Sequence, residues 1–346
     1  MRVCYFGTYD EEDPRNKVII KGLKSNNIEI IECHSSLFKV KYQWVVPLNY
    51  INLIRKFVSL RKKYDVVIVG FSMIGSFIDV FLVKLLTKKK IILNPLVSLY
   101  GTLVTDRKII KNFILSRMIH GFERVVYTIV DVIMVDTFQN MHYICRNFYI
   151  SESKCKRVLV SADTSLFYPR KEKDDDCFTA IFWGGHDNPL HGIKYIVKAG
   201  HILESYKDIR IIIAGKHKIS SNFNQSNVQF VGFVKDLQKL INEADVCLGI
   251  FGGTEKAMNV IPNKVYESLA MKKAVITGKS SAVGEVLTDR RNVILCEMAN
   301  AESLASSILL LRENKELREK IALEGYRLFI KHLTPEKVGE DIKTWL

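Results

Sequence analysis

Short runs of valine and isoleucine, each followed by a helical segment, recur along the whole chain. Strands this apolar, alternating with helices, form parallel sheets that are covered on both faces. The runs in the first half lie at Val3–Phe6, Ile28–Cys33, Val66–Gly70, Lys90–Pro95, Asp131–Thr137 and Arg157–Thr164. The pattern restarts at TAIFWGG, residues 179–185, and continues to Asn292–Cys296. The sequence therefore predicts an α/β chain of two doubly wound, Rossmann-like domains.

The charged stretch YPRKEKDDD, Tyr168–Asp176, interrupts the pattern between its two halves. A proline within a run of charges is typical of a linker. We therefore predict a first domain over residues 1–170 and a second over 171–330. The end of the chain, 331–346, is predicted to be a helix that packs back toward the first domain. A chain of 346 residues is long enough for two domains.

The apolar stretch Val66–Val83 is long enough to cross a bilayer. It contains Asp79, however, and a carboxylate within a membrane span is costly. Glycine and serine also interrupt its middle, so a buried strand followed by a helix explains it better. The sequence predicts no transmembrane helix.

The seven cysteines are scattered, with no CxxC pair and no histidine at metal-ligand spacing. Free thiols in this pattern are typical of a reducing compartment. The run of three aspartates at 174–176 belongs to the predicted linker and not to a metal site. No metal and no cofactor are therefore expected.

The positive charge is concentrated in the first half of the chain. The formal net charge is +14, and residues 1–170 contain 26 Lys and Arg against 14 Asp and Glu. Residues 171–346 contain 25 against 23. Such an asymmetry predicts an anionic surface or partner for the first domain.

The stretch IPNKVYESLAMKKAVITG, Ile261–Gly278, carries a single carboxylate near the start of a helix. Pro262 suits the first turn, so the free amides of Asn263 and Lys264 and the positive end of the helix dipole can hold a phosphate. Glu267, one turn later, can accept hydrogen bonds from the hydroxyls of a ribose. Together these groups predict a nucleotide site. The alternative is that Glu267 is an ordinary surface residue of the helix.

This stretch resembles the donor-binding segment of retaining GT-B glycosyltransferases, and most of the chain is similar to glycosyltransferase family 4. The similar segments are GTYDEEDPRNKVIIKGL (7–23), NPLVSLYGTLVTDRK (94–108), VSADTSLFYP (160–169) and GGHDNPLHGIKYIVKA (184–199). The resemblance implies two Rossmann-like domains that face a central cleft. It also implies a nucleotide-sugar donor, a retaining reaction without a metal, and a ribose contact from Glu267.

The chain departs from the family pattern at two places. The family often has two glutamates in this segment, separated by seven residues, and Glu267 matches the second of them. Asn259 stands at the position of the first, so the contact that this glutamate usually makes with the donor sugar is altered or moves to Glu255. The string GHDNPLHG (185–192) replaces the family's GR and KG, which puts His186 and His191 at the positions of the arginine and lysine that hold the diphosphate. Gly185 begins this string. Three lysines can replace the missing charge, namely Lys216, Lys256 and Lys264; Lys216 is equally well explained as a solvated residue.

Two residues of the first domain complete the predicted site. Gly7, directly after the first strand, allows backbone to approach a ligand closely. Arg15 and Asn16, which follow the acidic loop, can hold the acceptor or the donor phosphates. The alternative is that both belong to an ordinary helix start. Asp106, Arg107 and His120 are weaker candidates, since an Asp-Arg pair and a helical histidine are commonly structural.

The resemblance implies transfer of a sugar from a nucleotide-diphosphate sugar, UDP more than GDP, to a hydroxyl of a glycan or lipid-linked acceptor. Cell-envelope polysaccharide or glycoconjugate synthesis is the expected setting. Basic amphipathic segments suit peripheral attachment to the inner face of a membrane from the cytoplasm. They occur at Asn49–Asp65, at 83–90 and at 106–117.

Two rival readings stay open. The basic first half can belong to a nucleic-acid-binding protein, although the sequence has no RNA-binding, zinc-finger or helix-turn-helix motif. Asn259 can mark a transferase relative that has lost its activity. A dinucleotide enzyme is disfavoured because no GxGxxG follows the first strand.

Overall fold

The computed structural model describes residues 1–35, 46–170, 177–185, 188–217 and 227–346. The chain divides into two compact units. The first contains Met1–Ser161 together with Thr334–Leu346, and the second contains Ala162–Leu333.

The first unit alternates strands and helices in the order that the sequence predicts. Its strands are β1 (Arg2–Gly7), β2 (Glu29–His34), β3 (Val66–Val69), β4 (Lys90–Leu93), β5 (Val132–Val135) and β6 (Cys155–Arg157). Its α-helices are α1 (Pro14–Ser25), α2 (Val46–Ser59), α3 (Gly75–Leu86), α4 (Phe113–Ile129) and α5 (Phe138–Phe148). A π-helical turn covers Gly101–Asp106 and a 3-10 turn covers Glu152–Lys154.

These strands form one parallel sheet in the order β2-β1-β3-β4-β5-β6. Its central strands are buried along their whole length, because helices cover both faces. The chain leaves β1 toward β2 and then returns to the other side of β1 as β3. The carboxyl ends of β1 and β3 therefore flank the point at which the strand order reverses, which is where open α/β sheets bind ligands.

The last helix of the first unit comes from the end of the chain. This helix, Pro335–Trp345, packs against α1, and a Cβ at Gly339 would lie 2.0 Å from the carbonyl oxygen of Gly22. Lys343 Nζ donates to the carbonyl oxygen of Asn26 at 3.0 Å. Two facing glycines thus allow the backbones of the two helices to touch.

The second unit has its own sheet and helices. Its strands are β7 (Phe178–Trp183), β8 (Ile209–Ala214), β9 (Val228–Gly232), β10 (Val246–Leu248), β11 (Ala274–Gly278) and β12 (Ile294–Cys296). Its helices are α6 (Ile193–Ile202), α7 (Leu237–Asn242), α8 (Glu255–Asn259), α9 (Asn263–Ala270), α10 (Ser281–Gly284), α11 (Ala301–Glu313) and α12 (Lys315–His332), so that the helix Pro335–Trp345 is α13. A 3-10 turn covers Pro189–His191.

The second sheet is also parallel, with the order β12-β11-β10-β7-β8-β9. The chain moves from β7 outward through β8 and β9, then crosses to the other side of β7 as β10. The strand order therefore reverses between β7 and β10, and the loops that follow these two strands border a ligand-binding crevice of the expected kind.

The prediction of an α/β chain with two doubly wound domains is confirmed. The units divide at Ser161, nearer the start of the chain than the predicted boundary at 170, because the chain joins the second unit directly after β6. The strand predicted over Arg157–Thr164 is shorter and earlier, ending at Arg157. The charged half of the predicted linker, 171–176, with its three aspartates, lies outside the described residues. Across the helices that the structure describes, none is long and apolar enough to span a membrane.

Candidate nucleotide site

Two loops of the second unit meet at the reversal point of its sheet. The loop after β7 contains the 3-10 turn, and the loop after β10 runs through Phe251 and Gly252. Phe251 N donates to the carbonyl oxygen of His191 at 3.1 Å, and Gly252 N donates to that of Leu190 at 3.0 Å. These hydrogen bonds join the backbones of the two loops, so the loops are held together at the carboxyl edge of the sheet.

Gly192 makes this contact between the loops possible. Its φ of +67° lies in the left-handed region, which L side chains rarely adopt. A Cβ there would lie 2.5 Å from the carbonyl carbon of Phe251 and 2.6 Å from the nitrogen of Gly252. Backbone occupies the space on that side, so a side chain at 192 can be placed only if the loops separate.

Helix α9 begins at the same edge of the sheet and carries the predicted carboxylate. Pro262 is its N-cap, and the amides of Asn263 and Lys264 are in the first turn, where no intrahelical acceptor exists. The positive end of the helix dipole therefore faces the crevice.

Glu267 is buried in α9, with 7% of its surface exposed, and its carboxylate is held by an aromatic partner. Trp183 Nε1, at the end of β7, donates to Glu267 Oε2 at 2.9 Å. Burial raises the pKa of the Glu267 carboxyl, while the bond from Trp183 and the nearby Lys264 act in the opposite direction. The reading of Glu267 as an ordinary surface residue is therefore wrong.

Lys264 is also buried, with 6% of its surface exposed. Its Nζ lies over the ring of Phe182, 4.5 Å from the centroid, and Glu267 is one turn further along the helix. Burial lowers the pKa of Lys264 to about 7, and the charge of Glu267 only partly opposes this. The site therefore contains an ammonium group whose charge depends on what binds beside it.

The histidine string of the first loop is described only in part. His191 is buried, and its ring packs edge-on against Phe182, with centroids 5.3 Å apart. A Cβ at Gly184 would lie 2.8 Å from His191 Cε1, so the imidazole lies directly under the backbone at the end of β7. Gly185 is exposed and open on its Cβ side. His186 lies outside the described residues.

Lys216 follows β8 at the same edge and is exposed. Before it, Gly215 has a φ of +130°, and a Cβ there would lie 2.0 Å from the carbonyl oxygen of Gly184. The loop after β8 is thus pressed against the loop after β7. An exposed lysine at this position fits both a phosphate contact and a solvated side chain.

The short helix α8 holds the residues predicted to contact the donor sugar. Thr254 caps it by accepting from Ala257 N at 3.2 Å. Glu255 is exposed, whereas Lys256 and Asn259 are half-buried. All three lie in the connection between β10 and α9, so they share the edge with Glu267, and the choice between Asn259 and Glu255 stays a prediction.

The predicted residues of the first unit form a separate group. Gly7 has a φ of +135°, and a Cβ there would lie 2.7 Å from Asp79 Oδ2. That oxygen also accepts from Thr8 N at 2.6 Å and from Thr8 Oγ1 at 2.9 Å. Burial raises the pKa of Asp79 to about 6. The backbone at the end of β1 therefore rests on a buried carboxyl that sequence reasoning used only to exclude a membrane span.

The structure disagrees with the donor-binding role predicted for Arg15. Its side chain is 1% exposed, and Nη1 donates to the carbonyl oxygens of Val158 and Leu159 at 2.8 and 2.9 Å. Its Nε donates to Asn94 Oδ1 at 3.2 Å. The guanidinium therefore holds the chain that follows β6 inside the first unit. The alternative of an ordinary structural helix start fits this geometry.

Asn16 and the weaker candidates are also structural. Asn16 bridges to the backbone of Phe71 through two bonds of 2.8 and 2.9 Å. Asp106 is buried while Arg107 is exposed, so they do not form a surface pair. The ring of His120 stacks on Phe148 at 4.8 Å.

Sequence reasoning missed the aromatic pair Phe182 and Trp183. It assigned both to a strand, and their position directly before Gly184 and Gly185 was the available signal. Over the described parts of the chain, no group of three or more His, Cys, Asp or Glu side chains is placed to hold a metal ion.

Comparison with known proteins gives a family match within the second unit. A family model described as glycosyl transferases group 1 matches residues 177–314. A phosphatidyl-myo-inositol mannosyltransferase from Mycobacterium leprae is 26% identical over 176 residues, which are 48% of this chain and 44% of the relative. The chain thus matches less than half the length of that curated relative.

Solved structures match the fold over nearly the whole chain. Anabaena HepE, crystallised in complex with UDP, matches with a TM-score of 0.70 and 12% identity over 99% of both chains. Sucrose-phosphate synthase from Thermosynechococcus elongatus matches with a TM-score of 0.68 and 13% identity, over 99% of this chain and 87% of the other. At these identities the likeness shows the fold alone. The chain therefore has the GT-B fold, and its residues 177–314 match the model of the group 1 glycosyl transferases.

Proposed function

We propose that the protein transfers a sugar from a nucleotide-diphosphate sugar, UDP more than GDP, to a hydroxyl of a glycan or lipid-linked acceptor. The observation that carries the proposal is the pairing of Glu267 with the start of α9 at the reversal point of the second sheet. A carboxylate accepts hydrogen bonds from a ribose diol, and helix amides with a cation hold a diphosphate. The matched group 1 domain, residues 177–314, contains all of these groups.

The choice of UDP is supported by the ligand in the HepE structure, which shares this fold. The choice of a lipid-linked acceptor is supported by the name of the mannosyltransferase relative and by the basic first unit. On this proposal the enzyme works at the cytoplasmic face of a membrane, in the synthesis of cell-envelope polysaccharides or glycoconjugates.

The proposed reaction retains the configuration of the sugar and needs no metal. The bond between the anomeric carbon and the diphosphate breaks, and the acceptor oxygen forms the new bond from the same face. The acceptor proton passes to the departing phosphate oxygen. The amides of Asn263 and Lys264 and the Lys264 ammonium would stabilise the charge that grows on that phosphate. Such stabilisation replaces the work that a metal does in other transferases.

Binding of a single nucleotide diphosphate tests the proposal. We expect UDP to raise the melting temperature of the full chain above the effect of GDP, ADP and dTDP. Ligand at a hundred times its Kd stabilises a protein by about 2.7 kcal/mol, which thermal-shift assays detect readily. A shift with a short polynucleotide alone, fading as salt increases, would contradict the proposal and favour nucleic-acid binding.

The affinity for a UDP-sugar is expected to fall as the pH rises above 7. Lys264 has a pKa of about 7 in the free protein, and a bound diphosphate raises that pKa by attraction. Binding is therefore strongest below pH 7, where the lysine is already charged, and weakens by up to about tenfold per pH unit above it. Calorimetric titrations across this range measure the slope. A UDP-sugar is preferred to UDP because a terminal phosphate ionises near pH 6 itself.

The control for this pH dependence is Lys264→Met, which keeps the apolar stem on Phe182 and removes the charge. The variant should bind weakly at all pH values and show no slope between pH 7 and 8. A slope that survives in Lys264→Met would assign the titration to another group, with the exposed Lys216 tested next as Lys216→Met.

A further inference from the structure

One segment of the first unit exposes large apolar side chains among basic ones. The segment covers residues 107–118, RKIIKNFILSRM, and is called here the apolar–basic segment. Four of its apolar side chains are between 63% and 74% exposed, namely Ile109, Phe113, Ile114 and Met118. Leu115 is also exposed. Side chains of this size are ordinarily buried, so a cluster of them on one segment marks an interaction surface.

The segment projects from the carboxyl edge of the first sheet. Helix α4 has 17 residues and is about 25 Å long, whereas β5, which it precedes, has four residues and spans about 13 Å. The helix ends just before β5 begins, so it runs back along the sheet from the carboxyl edge. Its first turns therefore extend past the ends of the strands, on the side where an open α/β sheet binds its ligands.

The remainder of α4 fixes the segment to the unit. Glu123 is fully buried, and its carboxylate accepts from Leu99 N at 3.0 Å and from Tyr100 N at 2.7 Å. Ile109 N and Ile110 N both donate to the carbonyl oxygen of Leu103, at 2.9 and 3.2 Å. The exposed side chains are thus held on an anchored backbone.

The charges of the segment have one sign. Arg107, Lys108, Lys111 and Arg117 are all exposed, and the sequence contains no Asp or Glu between Asp106 and Glu123. The Arg117 guanidinium lies 5.8 Å from the centre of the Phe113 ring, so basic and apolar groups are interleaved at the start of α4. An anionic bilayer offers both the apolar interior and the negative surface that such a segment fits.

We propose that residues 107–118 seat the first unit on an anionic phospholipid bilayer, with Phe113, Ile114 and Met118 entering the interface. This deepens the proposed function and rests on it, because a lipid-linked acceptor would then reach the carboxyl edge directly from the membrane. Polynucleotide is a poorer match, since its phosphates would meet the basic groups but leave the aliphatic side chains in water.

The sequence also suggested Asn49–Asp65 and 83–90 as attachment segments, but residues of both lie at the amino edge of the first sheet, so this proposal does not include them and they provide a matched contrast. Lys62 and Lys63 are exposed and lie just before β3, so they are at the amino edge of the same sheet. Leu85, at the end of α3, is 83% exposed and likewise lies at that edge, before β4. These residues have the same chemistry as the apolar–basic segment at the opposite edge. Substitutions at these residues therefore distinguish a specific docking surface from a general effect of charge or hydrophobicity.

The test is sedimentation of the full chain with vesicles of phosphatidylcholine, with and without phosphatidylglycerol, at moderate salt. We expect binding only when phosphatidylglycerol is present. Each basic residue near an anionic surface contributes about fivefold in affinity, so Lys108→Glu with Lys111→Glu should reduce binding by tenfold or more. Ile114→Ser with Met118→Ser should reduce it similarly. Lys62→Glu with Lys63→Glu, and Leu85→Ser, should each remain within about twofold of wild type.

Several results would overturn the proposal. They are wild-type protein that ignores anionic vesicles, equal losses from the two charge-reversed pairs, and a dimer in solution that Ile114→Ser with Met118→Ser dissociates. The last result would assign the surface to a second copy of the chain. The UDP thermal shift, measured on every variant, confirms folding and separates the two proposals. A retained UDP shift without vesicle binding sinks only the docking surface, whereas vesicle binding without a UDP shift sinks the proposed transferase.

Discussion

Replacing Glu267 with alanine is expected to weaken UDP binding by about tenfold or more. The buried carboxylate would accept hydrogen bonds from the ribose hydroxyls, and a hydrogen bond to a charged group is worth about 1.5–3 kcal/mol. Each 1.4 kcal/mol changes a dissociation constant tenfold. Isothermal titration calorimetry at neutral pH measures the difference. The variant loses its acceptor for Trp183 Nε1 as well, so binding must be measured below its own melting temperature.

Two further variants identify the cause of that loss. Glu267→Gln keeps a carbonyl oxygen for Trp183 and for one ribose hydroxyl, so its loss should be smaller, about a few-fold. Trp183→Phe keeps the carboxylate and removes only its indole partner, which should cost less than Glu267→Ala. Glu313→Ala removes an exposed carboxylate at the end of α11, at the amino edge of the second sheet, and should leave UDP binding unchanged. If Glu267→Ala binds UDP as tightly as wild type, the ribose role assigned to Glu267 is wrong.

The sequence predicted the fold well because the relevant signal is local. A buried parallel strand needs an uninterrupted apolar run, and a surface helix needs a polar face, so each element is visible in its own residues. The start of α9 was found for the same reason, since proline is favoured at the start of a helix and Pro262 is the N-cap of α9. The strand at the end of the first half was misplaced, because the apolar run after Arg157 is a connection and not a strand. Arg15 donates hydrogen bonds to the backbone carbonyl oxygens of this connection.

The site was predicted less well because its groups come from distant parts of the chain. Glu267 was identified from its place near the start of a helix, with support from the resemblance, but its partner Trp183 is 84 residues away and only the folded sheet brings them together. Arg15 was misread because a guanidinium bonded to carbonyl oxygens and one available for phosphate have the same sequence pattern. Asp79 was read only as an obstacle to a membrane span, although its carboxyl supports the backbone of Thr8. The role of each side chain depends on its burial and its hydrogen-bond partners, and the local sequence predicts neither.

Replacing Gly192 with alanine is expected to destabilise the second unit and to lower its nucleotide affinity together. The left-handed φ of +67° costs an alanine about 1 kcal/mol, and the new Cβ would lie 2.5 Å from backbone of Phe251. Since backbone cannot move aside as a side chain does, the loops after β7 and β10 must separate. We expect the free energy of unfolding to fall by about 2–4 kcal/mol, within the range of severe single substitutions.

The matched control is Gly284→Ala at the end of α10. A Cβ at Gly284 meets nothing within 4 Å, and its φ is not in the left-handed region, so the substitution should change the stability by no more than about 0.5 kcal/mol. Calorimetric scans of both variants, with and without UDP, measure the stability and the ligand shift at once. The loss of UDP affinity in Gly192→Ala should exceed what the lower melting temperature explains, because the displaced loop carries His191 and borders the crevice that α9 faces. Equal stability of the two variants would mean that the loops do not pack backbone to backbone. An unchanged UDP shift in a destabilised Gly192→Ala variant would mean that the loop after β7 does not contribute to the nucleotide site.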